Sequence, residues 1–348
     1  MRGLNNLGNT CYLNSIIQIL FNTPGFFESF KSFASTNNAD HPLHKTSIAF
    51  YKLMIGYHLE KDEQKFQSYL LDFVRAFKNC HGQFGFGQHD IHEYLTFLFR
   101  AIHDTMYLET ICNVVGDIKS EGDKLERLAI ESHRVNGSST TEKMLKTNNN
   151  GNNLPCFNSV IFNKFSGQYH FQTQCLNKAC GFISSRFETF RCCEIPISNP
   201  DEKEVSFEKI IKEFSAITQL DDLYECDKCK VRTQSFRRCT FWRLPEILVF
   251  SLKRTIATIK DQKYMEFKDN RKVLVPDEID FSPYVTAPRK NTRYRLYATG
   301  NHYGSPRGGH YYAQIRDSDG NWKVANDESI SEGQGDPSHA YLLFFHRM

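Results

Sequence analysis

The segment Gly8-Asn9-Thr10-Cys11-Tyr12-Leu13-Asn14-Ser15-Ile16-Ile17-Gln18-Ile19-Leu20-Phe21 sets a cysteine just after a Gly/Asn-rich turn, at the start of an amphipathic helix that Pro24-Gly25 ends. Free backbone N–H groups and the positive end of the helix dipole favour a thiolate there, the nucleophilic form, and lower a cysteine pKa below its usual value of about 8.5. A buried structural thiol is the competing reading, because unpaired cysteine is among the most buried residue types. A nucleophilic thiol needs a base, a group that orients the base, and donors for an oxyanion. The far end of the chain offers them. In Gly308-Gly309-His310-Tyr311-Tyr312-Ala313-Gln314-Ile315 a glycine pair leads to a histidine at the head of a strand, where little bulk obstructs an extended peptide. Asn326 and Asp327 follow the short strand Trp322 to Ala325, so a hairpin can return either side chain to the imidazole and hold it in one tautomer. Cys11 and His310 are 299 positions apart (11 to 310). Only a tertiary fold joins them, and spacing alone does not establish that it does.

Four other cysteines have metal-ligand spacing. Cys226-Asp227-Lys228-Cys229 is a Cys-x2-Cys knuckle, and Cys175 and Cys180 form a wider Cys-x4-Cys pair upstream. Four thiolates suit tetrahedral structural zinc and leave no open position for water or substrate, so such an ion has no direct part in the chemistry. Cys192, Cys193 and Cys239 are spare candidates, and four buried free thiols are the alternative. Neither a recognition-helix spacing nor a strong local positive charge accompanies these cysteines, which argues against a nucleic-acid-binding zinc module.

The elements that must position these groups follow from periodicity. Apolar residues return every three or four positions at Phe66, Tyr69, Leu70, Phe73, Val74 and Phe77, a helical core stripe. A second helix starts at Asp90, whose spacing to Glu93 suits a capping box, and continues through Leu95, Leu98, Phe99 and Ile102. Between Lys119 and Leu154 charged, helix-compatible sequence gives way to Asn148-Asn149-Asn150-Gly151-Asn152-Asn153, which reads as a flexible insertion. After about Cys156 the pattern turns to strands, with aromatic and β-branched runs at Phe241 to Leu252, Tyr294 to Thr299, Tyr311 to Ile315 and Tyr341 to Phe345. Helices first and strands later imply an α+β fold in one composite domain.

Composition bounds the rest. The 348 residues are 40% hydrophobic and 24% charged, which excludes a disordered or fibrous chain, and a formal net charge of +3 is too small to argue for nucleic acid or a membrane surface. Eleven cysteines, an odd number unevenly spaced, do not make the disulfide framework of a small secreted domain. No apolar run approaches the roughly 20 residues that span a bilayer, and the expectation is an intracellular protein, cytoplasmic, nuclear or both.

Gly3-Leu4-Asn5-Asn6-Leu7-Gly8-Asn9-Thr10-Cys11-Tyr12-Leu13-Asn14-Ser15 resembles the cysteine box of the ubiquitin-specific protease family of deubiquitinases. The closing region, from Tyr294-Arg295-Leu296-Tyr297 through His302-Tyr303-Gly304-Ser305 and Gly308-Gly309-His310-Tyr311 to Trp322, resembles its histidine box. Gln88-His89-Asp90-Ile91-His92-Glu93-Tyr94-Leu95 and Trp242 to Arg254 match in between, so the resemblance runs almost end to end. It implies a papain-like α+β architecture filling residues 1–348: a helical thumb over 1–155 with the polar insertion at about 119–154, fingers with a zinc ribbon over 156–245, and a β-rich palm over 246–348. It further implies Cys11 as nucleophile, His310 as general base and then acid, Asn326 as the residue orienting the imidazole, Asp327 as its acidic neighbour, and Asn6 as an oxyanion-hole amide. Without the resemblance Asn6 reads as a turn asparagine and Asp90 as a helix cap.

Gln88, Asp90, His302, Tyr303 and Gly309 match positions lining the channel for ubiquitin's extended tail. The implied partners are ubiquitin and ubiquitinated proteins, with the need for an activating protein partner left open and neither nucleic acid nor membrane expected. Three positions depart from the pattern: Ala325 replaces an aromatic before the Asn-Asp pair, His89 a glutamine and Tyr94 a phenylalanine. The alternatives are a catalytically silent ubiquitin-binding scaffold, a protease for a ubiquitin-like modifier, and a zinc-ribbon nucleic-acid binder.

Overall fold

The computed structural model describes residues 1–33, 39–80, 82, 87–113, 119–135, 153–197, 202–260, 263–287, 291–305 and 308–348. Helices come first: α1 (Cys11–Phe21), α2 (Phe26–Phe33), α3 (His44–Leu59), α4 (Glu63–Cys80) and α5 (Ile91–Thr105). Three more, α6 (Glu121–Val135), α7 (Val160–Phe165) and α8 (Phe207–Phe214), lie among the strands. The stripe on α4 is buried at Phe66, Leu70, Phe73, Val74 and Phe77, as its spacing predicts. Asp90 caps α5, its side chain accepting from the N–H groups of His92 and Glu93. The helix α1 departs from the amphipathic expectation, because all eleven of its residues are buried. Its polar side chains tolerate this by bonding to main chain, Ser15 Oγ to the Cys11 carbonyl at 2.8 Å and Gln18 Nε2 to the Arg2 carbonyl at 2.6 Å.

Helices α1–α5 and α7 pack on one face of an eight-stranded sheet. Its order is Ser329–Glu332, Trp322–Asn326, Gly308–Arg316, Arg293–Ser305, Ala340–Arg347, Ile247–Lys253 and Cys193–Pro196, with Glu278–Asp280 also paired to Arg293–Ser305. Pairing is antiparallel throughout except between Ile247–Lys253 and Cys193–Pro196. Successive residues serve different cores. Ile247, Val249, Tyr341 and Phe344 pack with the helices, whereas Leu248, Phe250, Leu343 and Phe345 pack on the opposite face with α8. Burial on both faces explains why these strands read as unbroken apolar runs.

A second, four-stranded sheet runs Ile183–Phe190, Gly167–Cys175, Ser235–Arg243 and Thr218–Gln219. The run expected as one strand from Phe241 to Leu252 is broken at Leu244–Glu246, where Pro245 has no N–H to give a ladder. Ser235–Arg243 joins the small sheet and Ile247–Lys253 the large one. Two elements inside the range expected as fingers, Cys193–Pro196 and α8, belong with the large sheet and its core instead, because their apolar residues complete its second face. The expected insertion at 119–154 is not uniformly irregular. Its charged part is α6, with Ala129 buried beside Phe187 and Trp242 and Ser132 Oγ donating to the Phe187 carbonyl, while 136–152 lies outside the described residues.

Candidate active site and cysteine cluster

The first turn of α1 lies against the strand Gly308–Arg316, and the backbone N–H of Tyr311 donates toward the Cys11 sulfur. The residue next to His310 thus reaches the thiol. Cys11 is 3% exposed, and burial pushes its thiol up, outweighing the donating amides of Tyr311, Tyr12 and Cys11 itself; the Asp327 charge adds to the rise. The thiolate expected from the helix N-terminus is therefore not the resting form. Desolvation wins, and a proton has to be removed when the thiol reacts.

His310 Nε2 and Asn326 Oδ1 are 2.6 Å apart, bridged across the hairpin that pairs Gly308–Arg316 with Trp322–Asn326. Donation of Nε2–H to that amide oxygen leaves Nδ1 as the lone-pair nitrogen. Asp327 follows in a left-handed conformation, φ 49°, which turns its carboxylate inward. One carboxylate oxygen, Oδ2, accepts from Asn6 Nδ2 at 2.8 Å and lies 3.8 Å from His310 Nε2. The other, Oδ1, accepts from Asn14 Nδ2 at 2.7 Å, and the Asp327 carbonyl accepts from the Leu4 N–H at 2.8 Å. Asn6 Oδ1 in turn accepts from the N–H groups of Gly8 and Thr10 at 3.1 and 3.2 Å, shaping the turn before Cys11. Cys11, His310, Asn326, Asp327 and Asn6 are therefore one constellation.

Sequence reasoning missed Asn14 as part of it. Its amide also reaches the carbonyls of Leu4 and Asn5 at 3.3 and 3.2 Å, tying α1 to the segment before Cys11. The available signal was a polar residue one turn after Cys11 in an apolar stretch. Ala325 is 1% exposed and pairs with Ala313 across the hairpin, in the core beneath α1.

A cleft of about 370 Å³ runs beside the constellation, lined by Gln88, Asp90, His302, Gly308 and Tyr341 among others. Asp90 thus both caps α5 and faces the cleft. Gln88 pairs with Gly309 through two hydrogen bonds. Tyr303 is exposed, its ring 5.3 Å from the His310 ring. His302 lines the cleft from below: its ring lies 4.4 Å from that of Tyr311, tilted by 40°, and burial with the nearby Lys268 charge pulls its pKa down to about 4. Lys268 Nζ donates to the carbonyls of His302 and Gly304 at 2.8 and 3.3 Å, a contact no sequence motif announced.

Far from the cleft, at the end of the small sheet, Cys175, Cys180, Cys226 and Cys229 converge. Their sulfur atoms all lie within 4.8 Å of one another, an arrangement that could hold a metal ion. Two pairs approach to 4.0 Å (Cys175 and Cys229) and 3.8 Å (Cys180 and Cys226). Backbone N–H groups of Cys229 and Lys228 pull the Cys226 thiol down to about 7, while burial pushes Cys175 up to about 12. A cation at the centre would offset that second cost. The spare candidates do not join the cluster: Cys193 is in the core of the large sheet, and burial pushes the thiols of Cys192, Cys193 and Cys239 up.

Comparison with known proteins gives a consistent picture. A family model described as "Ubiquitin carboxyl-terminal hydrolase" matches residues 2–345. The chain is 27% identical to ubiquitin carboxyl-terminal hydrolase 23 of Arabidopsis thaliana, covering 99% of this chain and 35% of that protein. It is also 27% identical to ubiquitin carboxyl-terminal hydrolase 2 of Homo sapiens, covering 99% and 55%. The chain thus spans between about a third and just over half the length of these relatives. The solved SAGA Ubp8/Sgf11/Sus1/Sgf73 DUB module bound to ubiquitin aldehyde contains a chain with the same fold, at a TM-score of 0.75 and 20% identity, covering 100% of this chain and 70% of that one.

Proposed function

The chain belongs to the ubiquitin carboxyl-terminal hydrolase family, and we propose that it is a cysteine deubiquitinase, hydrolysing the isopeptide or peptide bond after the C-terminal glycine of ubiquitin. The observation that carries this reading is the imidazole held between Asn326 and the segment whose next amide reaches the Cys11 sulfur. Nδ1 of His310 takes the Cys11 proton as the sulfur attacks the glycine carbonyl carbon. Negative charge develops on the carbonyl oxygen, and Asn6, with backbone N–H groups near Cys11, is the proposed donor set for it. Collapse breaks the C–N bond, His310 returns the proton to the departing amine, and a thioester remains. Water then attacks the thioester, giving its proton to His310, and Cys11 leaves as a thiolate that the imidazolium reprotonates. Asn326 keeps the imidazole in the required tautomer, and Asp327 holds Asn6 beside it.

Residues 1–155, 156–245 and 246–348 are proposed as thumb, fingers and palm, with the palm also taking Cys193–Pro196 and α8. Ubiquitin's extended tail would lie in the cleft along Asp90, Tyr303 and the Gly308-Gly309 edge, with His302 as its floor. The metal at Cys175, Cys180, Cys226 and Cys229 is proposed to be structural zinc. Zn–S bonds of about 2.3 Å in a tetrahedron set sulfur atoms about 3.8 Å apart, close to the pairs at 3.8 and 4.0 Å. Partners are ubiquitin and ubiquitinated proteins in an intracellular setting. The assembly of Ubp8 with Sgf11, Sus1 and Sgf73 motivates a search for an activating protein.

The test is intact mass after mixing the purified protein with ubiquitin bearing a C-terminal thiol-reactive group. A single adduct, lost in Cys11→Ala and not formed with a ubiquitin-like modifier probe, is expected. Absence of both adduct and ubiquitin binding would remove the assignment.

A further inference from the structure

Gln88 and Gly309 are 221 positions apart, yet the Gln88 carboxamide pairs with both main-chain groups of that glycine. Nε2 donates to the Gly309 carbonyl at 2.8 Å, and Oε1 accepts from the Gly309 N–H at 2.8 Å. We propose that Gln88 is a positioning residue for His310, acting through the Gly309 main chain rather than only as a surface for the substrate tail. The inference rests on the reading of Cys11 and His310 as nucleophile and base.

The geometry of the strand carries it. In an antiparallel ladder the N–H and C=O of one residue face the same side, and so do those of the residue two further on. Gly309 and Tyr311 therefore present their main-chain groups along one edge, and both are engaged there: Gly309 by Gln88, and the Tyr311 N–H by the Cys11 sulfur. His310 is the residue between these two fixed points.

On its other edge this point is laddered to Arg293–Ser305, Gly309 opposite Gly304 and His310 opposite Tyr303, but on the Gln88 edge strand pairing begins only at Ala313. Gly309 sits too close to its neighbours to carry a side chain, since a Cβ would fall 2.2 Å from the Tyr303 carbonyl oxygen and 2.3 Å from His302 Nε2. A glycine that must stay glycine has wide backbone freedom, and at Gly309 the Gln88 amide, anchored at the entrance to α5, restricts it from outside the strand. A displacement of about 1 Å in a catalytic group can cost about 100-fold in rate, so a clamp at the adjoining residue has a measurable share to lose.

The experiment uses a probe that needs no ubiquitin: the rate at which iodoacetamide alkylates Cys11, followed against pH by peptide mass spectrometry on the full chain. Gln88→Met keeps length and bulk and loses both hydrogen bonds. Gln88→Glu keeps an acceptor for the Gly309 N–H and loses the donor to its carbonyl. In Gln88→Met, alkylation at pH 7 is expected to slow about 5-fold, with its pH midpoint moved upward. The kcat for a ubiquitin C-terminal amide substrate should fall about 10-fold, with KM within 2-fold and Tm unchanged; Gln88→Glu should fall between. An unchanged alkylation profile with only KM raised would overturn the proposal in favour of a substrate contact. An unchanged profile with only Tm lowered would overturn it in favour of a structural brace. If His310→Ala leaves the wild-type alkylation profile unaltered, the nucleophile and base reading itself fails, a result the Gln88 variants alone cannot produce.

Discussion

At the level of single residues, the constellation divides into groups a local motif announces and groups it does not. Cys11 and His310 were legible because each sits in a stretch whose small neighbours, Gly8-Asn9 and Gly308-Gly309, have a mechanical reason to be there. Asn14 was not, since nothing local says that an asparagine on α1 will meet a carboxylate 313 positions away. The resting state of the Cys11 thiol was misread for a related reason: the helix dipole can be inferred from sequence, whereas burial depends on the whole fold. Asn326 and Asp327 were candidates of equal standing in sequence, and their hydrogen bonds separate them. Asn326 touches the imidazole, whereas Asp327 ties together Asn6, Asn14 and Leu4 as well. Asp327→Ala is therefore expected to lower kcat/KM by about 100-fold or more, the scale of losing one oriented oxyanion donor, and to lower Tm as well. Asn326→Ala should cost less and leave Tm nearly unchanged. Steady-state kinetics with thermal melts decides it, and the reverse ranking would refute the assignment of Asp327 as the hub.

Among the elements, strands buried on one face and strands buried on two were equally visible as apolar runs, but which sheet each joins was not. The break at Pro245 sends neighbouring strands into different sheets, and the register that does so depends on partners distant in sequence. The cysteine pairs were the opposite case: Cys-x4-Cys and Cys-x2-Cys are local spacings, and the four sulfur atoms do converge. That convergence joins the turn after Gly167–Cys175 to the one between the short paired strands Tyr224–Glu225 and Arg232–Thr233, which bury little apolar surface of their own. With the proposed zinc bound, such an end would depend on the ion. Zinc removal by a chelator is expected to release about one zinc per chain and to open the 175–235 region to limited proteolysis, while Cys11 alkylation stays within about 2-fold of the untreated protein. Chelation that abolishes Cys11 reactivity as quickly as it exposes cleavage sites would mean that the cluster supports the catalytic centre directly.

For the molecule as a whole, composition and order of elements were enough for the α+β class, but not for its buried polar groups. Arg254 would pass for a surface charge, yet it is 1% exposed and donates to the carbonyls of Asp269, Arg271, Ser338 and Ala340. His170 and His302 are likewise buried, and desolvation, aided by nearby Arg238 and Lys268 respectively, pulls each to about 4 from an ordinary 6.5. Above about pH 6.5 both are neutral in the folded and unfolded chain. Between about 6.5 and 4 the unfolded chain binds protons that the folded one refuses, so stability falls as pH falls through that window. Unfolding near pH 5 is expected to take up as many as about two protons through these residues, and urea midpoints should drop between pH 6.5 and 4.5, less steeply in His170→Gln. A pH-independent midpoint across that window would refute the neutral, buried state of these histidines.

The hydrogen bond from the Leu4 N–H to the Asp327 carbonyl has a consequence for the newborn chain. At roughly 5 to 20 residues per second, a ribosome takes about 15 to 60 s to pass from residue 11 to residue 310. Throughout that interval Cys11 exists without its proposed base, and translation that stops short of codon 310 yields a thiol with no imidazole beside it. Synthesis order thus acts as a safety catch, keeping the Cys11 thiol idle until the segment that carries His310 has emerged.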